Sequence, residues 1–305
     1  MLLRCLVALA IVGSAAARDL AFSADVNVVM LYATVLDPKG RTIKDLTKED
    51  FTLEEDGKAQ TIRYFSREFN APLTIGLLVD TCQQPRTLPL EKAASYPFLD
   101  NVLSASDKAF VLDLGRGVYL VQDFTASREK LRAAIAGLEL NASHGGGGCR
   151  ILQAIQQASE IMKPENGRKA FILLSSGMDH GSKISPITAI EFAQRKDVMI
   201  YAIPFQPRLV PSYLPVTRAW GSMYEKRGRE VLQRLARETG GGYSPITEDQ
   251  PIEKIYAQIE EELRSQYVIG YVPDQANPSR AYRKLRVAVK NRDAIIRSRE
   301  GYYPK

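Results

Sequence analysis

An apolar run that ends in a single carboxylate is the feature of this chain with the clearest chemical content. Residues 73–79 read LTIGLLV, and Asp80 follows directly, with Cys82 and Gln84 two and four positions further on. A near-continuous apolar run of this length predicts a strand that is buried on both faces, as in a parallel sheet. Open α/β sheets bind their ligands outside the carboxyl ends of the strands. The sequence therefore predicts that Asp80 stands at a ligand-binding edge.

Thiols and imidazoles form the second group of candidate residues. Apart from Cys5 the chain holds the cysteines Cys82 and Cys149, and its two histidines are His144 and His180. Cys149 with a histidine would suit nucleophilic catalysis, whereas Cys82, Cys149 and His180 would suit a zinc ion. Two cysteines in an exported chain are also a disulfide candidate. Composition alone leaves these three uses open.

The glycine run at residues 145–148 precedes Cys149 and a predicted helix, which is where a phosphate-binding loop would stand. Such loops end in Lys followed by Ser or Thr, and that pair is missing from this sequence. The glycines therefore indicate close approach of the backbone to the sheet edge rather than a nucleotide site.

The first residues predict export. Residues 1–17 combine a basic start at Arg4, an apolar stretch and small residues before Arg18, which is the layout of a secretory signal peptide. The apolar stretch is too short to span a bilayer, and no later run approaches that length, so we expect a secreted or periplasmic protein without a membrane span. The formal net charge of +6 is spread along the chain apart from a basic stretch at residues 280–299. A nucleic-acid partner is therefore not expected.

Three segments differ in their apolar pattern. Residues 18–70 and 266–305 show short strands with turn signals, whereas strands and helices alternate within residues 71–265. This alternation predicts an α/β, Rossmann-like domain with a mostly parallel sheet and helices on both faces. The strands at either end are too few to form a stable sheet alone. We therefore predict that the two end segments pair to form one small β domain.

Two details concern the borders of the α/β block. Residues 108–114 and 118–124 predict a hairpin, which adds an antiparallel edge strand to the sheet. Residues 206–221 carry three prolines and Trp220, and they are predicted to form a long loop over the carboxyl edge of the sheet.

Several short motifs carry a resemblance to a known family. They are VLDPKGR (35–41), LTKEDF (46–51), EDGK (55–58), IGLLVD (75–80), QDFT (122–125), GG (147–148), LLSSG (173–177), QYVIGY (266–271) and RSREGY (297–302). Together they resemble the von Willebrand factor A-related proteins of the exported bacterial type, over nearly the whole chain after the signal peptide. The resemblance implies a Rossmann-like A domain whose functional edge lies at the carboxyl ends of the strands.

In that family the edge holds a metal-ion-dependent adhesion site, where hard oxygen ligands surround Mg²⁺ or Mn²⁺ and one position is left to a partner's carboxylate. The resemblance places Asp80, Cys82, Gln84, Cys149 and Ser176 at the five ligand positions. Thiols are soft ligands that do not suit Mg²⁺. We therefore expect a degenerate site and no Mg²⁺ or Mn²⁺ cofactor.

The same resemblance implies a disulfide bond between Cys82 and Cys149, because both positions would otherwise contribute ligands to one ion. Asp179 follows Ser176 by three residues and is either a replacement ligand or a loop residue that caps a helix. Asp80, Asp179 and His180 make up a possible ligand edge.

These observations favour an exported, non-enzymatic protein-binding or adhesion-type module whose metal site is largely lost. Its partner would be a protein, recognised through the loops at the carboxyl ends of the strands. Two alternatives remain open. One is a Cys–His thiol enzyme or a soft-metal (zinc) site at the same edge, and the other is a purely structural envelope protein.

Overall fold

The structure, a computed structural model, describes residues 28–67, 71–82, 88–115, 117–139, 149–162, 167–205, 215–273, 281–290 and 293–304, without the side chains of residues 90, 215–222 and 224. The predicted signal peptide lies outside these ranges, as do Gln84 and His144. Among the described helices, none combines the length and the apolar character that a membrane crossing requires.

The described residues form strands and helices in the order that follows. The strands are β1 (Val29–Leu36), β2 (Phe51–Glu55), β3 (Lys58–Gln60), β4 (Tyr64–Arg67), β5 (Leu73–Val79), β6 (Lys108–Leu114), β7 (Val118–Thr125), β8 (Arg168–Ser175), β9 (Val198–Pro204), β10 (Tyr267–Tyr271), β11 (Arg283–Val289), β12 (Ile295–Arg297) and β13 (Gly301–Tyr302). The helices are α1 (Leu88–Asn101), α2 (Arg128–Ala136), α3 (Ile151–Ile161), α4 (Pro186–Arg195), α5 (Pro215–Thr239) and α6 (Ile252–Arg264).

A five-stranded sheet in the order β7-β6-β5-β8-β9 forms the centre of the α/β part. Strands β6, β5, β8 and β9 are parallel to one another, and β7 joins the edge antiparallel to β6. The α/β class, the mostly parallel sheet and the antiparallel edge hairpin are therefore confirmed. In this order β5 lies in the middle of the sheet, and all seven of its residues are buried, as its apolar run predicted.

Helices cover both faces of this sheet. The core on one face is built with residues of α1, α2 and α6, such as Phe98, Leu131 and Ile259. The core on the other face is built with residues of α3, α4 and α5, such as Ile155 and Leu235. In the described part of the chain, the sheet is thus a buried central layer between two helical layers.

Two features of this part differ from expectation. Helix α1 lies between β5 and β6, where the sequence patterns gave no helix, because its apolar residues follow no clean helical period and Pro97 lies inside it. The long loop predicted for residues 206–221 is wrong in its second half, since α5 begins at Pro215. A proline is well tolerated in the first turn of a helix, so the proline that suggested a loop instead opens α5.

Strands from the two ends of the chain pair in two antiparallel sheets, β12-β1-β10-β4 and β13-β11-β2-β3. The register of β1 with β10 runs from Val29 opposite Tyr271 to Ala33 opposite Tyr267. Residues of both sheets share one apolar core, in which Leu53 and Leu285 are buried. The predicted β domain formed by both chain ends is therefore present, while the exact residue limits of the domains stay a prediction.

Candidate functional site

The carboxylate of Asp80 is fully buried at the carboxyl end of β5. Its Oδ2 accepts a hydrogen bond from Ser175 Oγ at 2.7 Å, and its Oδ1 accepts one from the backbone N of Cys82 at 3.1 Å. The backbone N of Asp80 donates to Leu174 O on the neighbouring strand β8 at 3.1 Å. Both carboxylate oxygens are therefore engaged with the protein itself, and the side chain is fixed in place.

The two thiols lie beside this carboxylate. One carboxylate oxygen of Asp80 and the Sγ atoms of Cys82 and Cys149 all lie within 4.8 Å of one another. Cys149 is buried and Cys82 is half-buried, and both cysteines are free. The structure thus brings together three of the five residues that the resemblance grouped, and the bond between Cys82 and Cys149 stays a prediction.

The environment of Cys149 opposes its ionisation. A hydrogen bond with Cys82, burial and the negative charge of Asp80 all raise the pKa of the Cys149 thiol. A thiolate in this position would lie out of water and next to another anion, which is unfavourable without a positive partner. In the absence of a cation, the buried thiol of Cys149 is therefore protonated at neutral pH.

Asp179 and His180 are not part of this cluster. Asp179 Oδ2 accepts hydrogen bonds from the backbone N of Leu152 at 2.9 Å and from Ser182 Oγ at 2.6 Å. Asp179 therefore accepts a hydrogen bond from an amide in the first turn of α3 that has no partner within the helix. Of the two roles considered for Asp179, this is that of a helix-capping residue. The side chain of His180 is exposed, and its backbone N donates to Cys149 O at 3.0 Å. The possible ligand edge of Asp80, Asp179 and His180 therefore stays a prediction, of which the structure places Asp80 in the cluster.

Ser176, the remaining described ligand position, is buried in the turn after β8. Its Oγ accepts a hydrogen bond from the backbone N of Met178 at 3.3 Å, so the hydroxyl supports this turn.

A second buried carboxylate of the edge is also used within the protein. The hydroxyl of the fully buried Thr81 donates to Asp113 Oδ1, which fastens the turn after β5 to the end of β6.

Sequence patterns missed Glu91, a fully buried carboxyl group in the first turn of α1. Within the described part of the chain, neither of its carboxylate oxygens has a hydrogen-bond partner. Burial and the charge of Asp80 raise the pKa of Glu91 to about 9, so it is protonated at neutral pH. The signal that predicts its helix is Pro89, because proline favours the first turn of helices.

These residues do not fit the Mg²⁺ or Mn²⁺ site that the resemblance brings with it. Mg²⁺ requires an octahedron of oxygen ligands near 2.1 Å. The cluster offers one carboxylate whose oxygens already accept hydrogen bonds, together with two sulfur atoms. We therefore derive no role for a hard cation at this edge.

The turn that carries Ser176 depends on a glycine. Gly177 has φ +78°, and a Cβ atom at this position would lie 2.2 Å from Gly228 O of α5. We expect Gly177→Ala to lower the free energy of unfolding by about 3 kcal/mol, because a left-handed backbone costs about 1 kcal/mol and the clash adds about 2 kcal/mol. Gly40→Ala is the matched control, since Gly40 has the same φ and nothing within 4 Å of its added Cβ.

Urea unfolding of both variants measures the difference. The control should lose only the backbone contribution of about 1 kcal/mol. Equal losses for the two variants would show that α5 does not press against this turn.

Comparisons with known proteins give similarities of fold only. No family model matches the chain, and no curated protein matches it. A von Willebrand factor type A structure from Catenulispora acidiphila is similar at 13% identity and a TM-score of 0.48, with 82% of this chain and 73% of that chain covered. The conserved hypothetical protein BatB from Bacteroides thetaiotaomicron is similar at 15% identity and a TM-score of 0.48, with 64% and 100% covered. Proximal thread matrix protein 1 from the mussel byssus is similar at 12% identity and a TM-score of 0.49, with 78% of this chain and 50% of that chain covered.

Von Willebrand A domains are thus among the structural neighbours, as the sequence motifs predicted. The α/β fold itself is established by the sheet order and the helical layers of this chain.

Proposed function

We propose that this chain is an exported, non-enzymatic von Willebrand A-like module that binds a protein partner through the loops at the carboxyl edge of its central sheet. The observation that carries the proposal is the donor set at this edge, where Asp80 is joined by two thiols within 4.8 Å. The loop after β5, the start of α3 and the loop after β8 meet at this place, as in α/β proteins that bind ligands at strand ends. A partner would therefore be recognised without Mg²⁺ or Mn²⁺.

The state of Cys149 supports a non-catalytic role. The thiolate is the nucleophilic form of cysteine, and reactive cysteines have lowered pKa values. The pKa of Cys149 is raised instead, by its hydrogen bond with Cys82 and by burial. The side chain of His180 is exposed, and its backbone N donates a hydrogen bond to Cys149 O, a contact that supports the fold of the loop.

A thiol-reactive probe on the reduced native chain tests this part of the proposal. We expect Cys149 to react slowly and only as fast as local opening exposes it, because the thiol is buried and protonated. Rapid stoichiometric labelling of Cys149 in the native state would support the thiol enzyme and contradict this proposal.

Protein capture from the host's envelope extract tests the binding role. We compare the wild-type chain with a variant that places two negative charges in the loop after β8, His180→Glu with Lys183→Glu, at side chains that are both exposed. The matched control reverses two exposed charges of the β domain, Lys58→Glu with Arg286→Glu. Each capture is made in Mg²⁺ and again in EDTA.

The proposal predicts a set of captured proteins that is the same in Mg²⁺ and in EDTA, absent with the loop variant and retained with the control. Loss of capture in EDTA would contradict the metal-free mode. Loss with the control variant alone would assign binding to the β domain and leave the sheet edge a structural role.

A further inference from the structure

Three acidic groups share one small volume at the end of β5. The carboxylate of Asp80 is fully buried, Cys149 is 9% exposed, and the thiol of Cys82 lies with them inside 4.8 Å. Acidic groups that are packed together away from water oppose one another's ionisation. Such a cluster is stable when its side chains keep their protons or when a cation binds between them.

Glu91 gives an independent observation at the same place. It is 0% exposed, and within the described residues neither carboxylate oxygen accepts a hydrogen bond. In addition to burial, the negative charge of Asp80 helps to raise the pKa of Glu91. A buried acceptor without a partner costs about 1–3 kcal/mol, so this part of the protein holds a second buried acid whose oxygens are not satisfied.

The spacing of the cluster fits a tetrahedral ion. Zn–S bonds of about 2.3 Å and Zn–O bonds of about 2.1 Å place the ligand atoms about 3.5–3.8 Å apart. The observed separations, all within 4.8 Å, approach this geometry with no change of fold. Two sulfurs also favour a soft or borderline cation over Mg²⁺.

Hydrogen bonds hold the residues of the cluster in place. Asp80 is held by Ser175 Oγ, and Cys82 follows it in the same tight turn. Cys149 is fixed through its carbonyl oxygen, which accepts hydrogen bonds from the backbone N of His180 at 3.0 Å and of Gly181 at 3.2 Å. A site with such support is organised before the ion arrives.

We propose that in the reduced chain Asp80, Cys82 and Cys149 bind a thiophilic divalent cation of the zinc class. Binding converts both thiols to thiolates, and their two protons pass to solvent. All three residues stand at ligand positions of the family that the chain resembles, but two of them supply sulfur in place of oxygen. The inference goes beyond the protein-binding proposal and does not depend on it.

Cadmium and zinc binding to the reduced, chelator-treated chain test the proposal. Cys5→Ala is introduced in all samples so that the thiols of the cluster alone are followed. Cadmium reports thiolate ligation through its ultraviolet charge-transfer band, and zinc affinity is measured by competition with a chromophoric chelator. We expect one equivalent of either ion to bind, and a large excess of Mg²⁺ not to displace it.

Variants identify the ligands. Cys82→Ser and Cys149→Ser should each weaken zinc binding by about 100-fold or more. Asp179→Asn is the matched control at the same edge, because Asp179 caps α3 and should leave zinc affinity unchanged. If a cysteine variant folds poorly, the chain with both cysteines is used instead. The measurement is then how far zinc slows the alkylation of the two thiols.

Absence of the charge-transfer band in the reduced chain would overturn the proposal. A band of equal strength in the double cysteine variant would overturn it as well, as would alkylation that zinc does not slow. The disulfide form serves as an internal test, because a chain with Cys82 bonded to Cys149 has no thiolate to offer and should not bind cadmium.

Discussion

Oxidation of the chain is expected to raise its free energy of unfolding by about 4 kcal/mol, since a bond between Cys82 and Cys149 closes a loop of about 67 residues in the unfolded chain. The two Sγ atoms already lie within 4.8 Å, and a disulfide bond of about 2.05 Å requires only a local approach. The measurement compares urea unfolding of the oxidised and reduced Cys5→Ala chain. The gain should be lost when reductant is added.

Cys82→Ser with Cys149→Ser is the control for this prediction, and its unfolding should not respond to the oxidant. Thiol counting after non-reducing denaturation gives the complementary result, which is no free thiol in the oxidised Cys5→Ala chain. Two free thiols per chain after exposure to oxidant would contradict the disulfide. In that case the cluster would act through its reduced form alone.

Replacement of Glu91 is expected to change how stability depends on pH in the metal-free, reduced chain. Burial and the charge of Asp80 raise the pKa of Glu91 to about 9, above its ordinary value of 4.5. A carboxyl with a raised folded-state pKa contributes stability that is fully present below the unfolded pKa and is lost as the pH rises towards the folded pKa. Between pH 5 and 8 the wild type should therefore lose about 1.4 kcal/mol per pH unit relative to Glu91→Gln.

Urea unfolding of both proteins at several pH values in the presence of a chelator measures this difference. Over the whole interval it amounts to about 4 kcal/mol, so Glu91→Gln should be the more stable protein at pH 8. The control is Glu253→Gln, which changes an exposed glutamate in the first turn of α6 and should follow the wild type. If the free energies of unfolding of the wild type and Glu91→Gln changed in parallel with pH, Glu91 would not be a buried acid with a raised pKa.

The parts of the fold that the sequence predicted are those with a local signature. The apolar run of β5 marks a buried central strand whatever surrounds it, and the carboxylate at its end follows from the chain itself. The pairing of the two chain ends was also predictable, because β1 and β10 each lack enough local partners to form a stable sheet. The grouping of Asp80, Cys82 and Cys149 required the resemblance, because the cysteines lie far apart in the sequence.

Other features depend on contacts that no local pattern reveals. The cap role of Asp179, which lies in the loop after β8, is decided by Leu152 of α3. Glu91 was missed together with α1, whose internal Pro97 conceals the helix. The burial of Glu91 also depends on how α1 packs against one face of the sheet. The prolines before α5 suggested a loop, although Pro215 stands where a helix accepts proline.

The central claim, that thiols and fixed hydrogen bonds have taken the place of a hard-metal site, is tested most directly by the thermal midpoint of the reduced chain in Mg²⁺. A site with an affinity of about 10 μM would add about 2.7 kcal/mol of stability at about 1 mM Mg²⁺. Asp80 is joined by sulfur rather than oxygen ligands. We therefore predict that Mg²⁺ at about 1 mM leaves the thermal midpoint unchanged. A clear upward shift that Asp80→Ala abolishes would contradict the account.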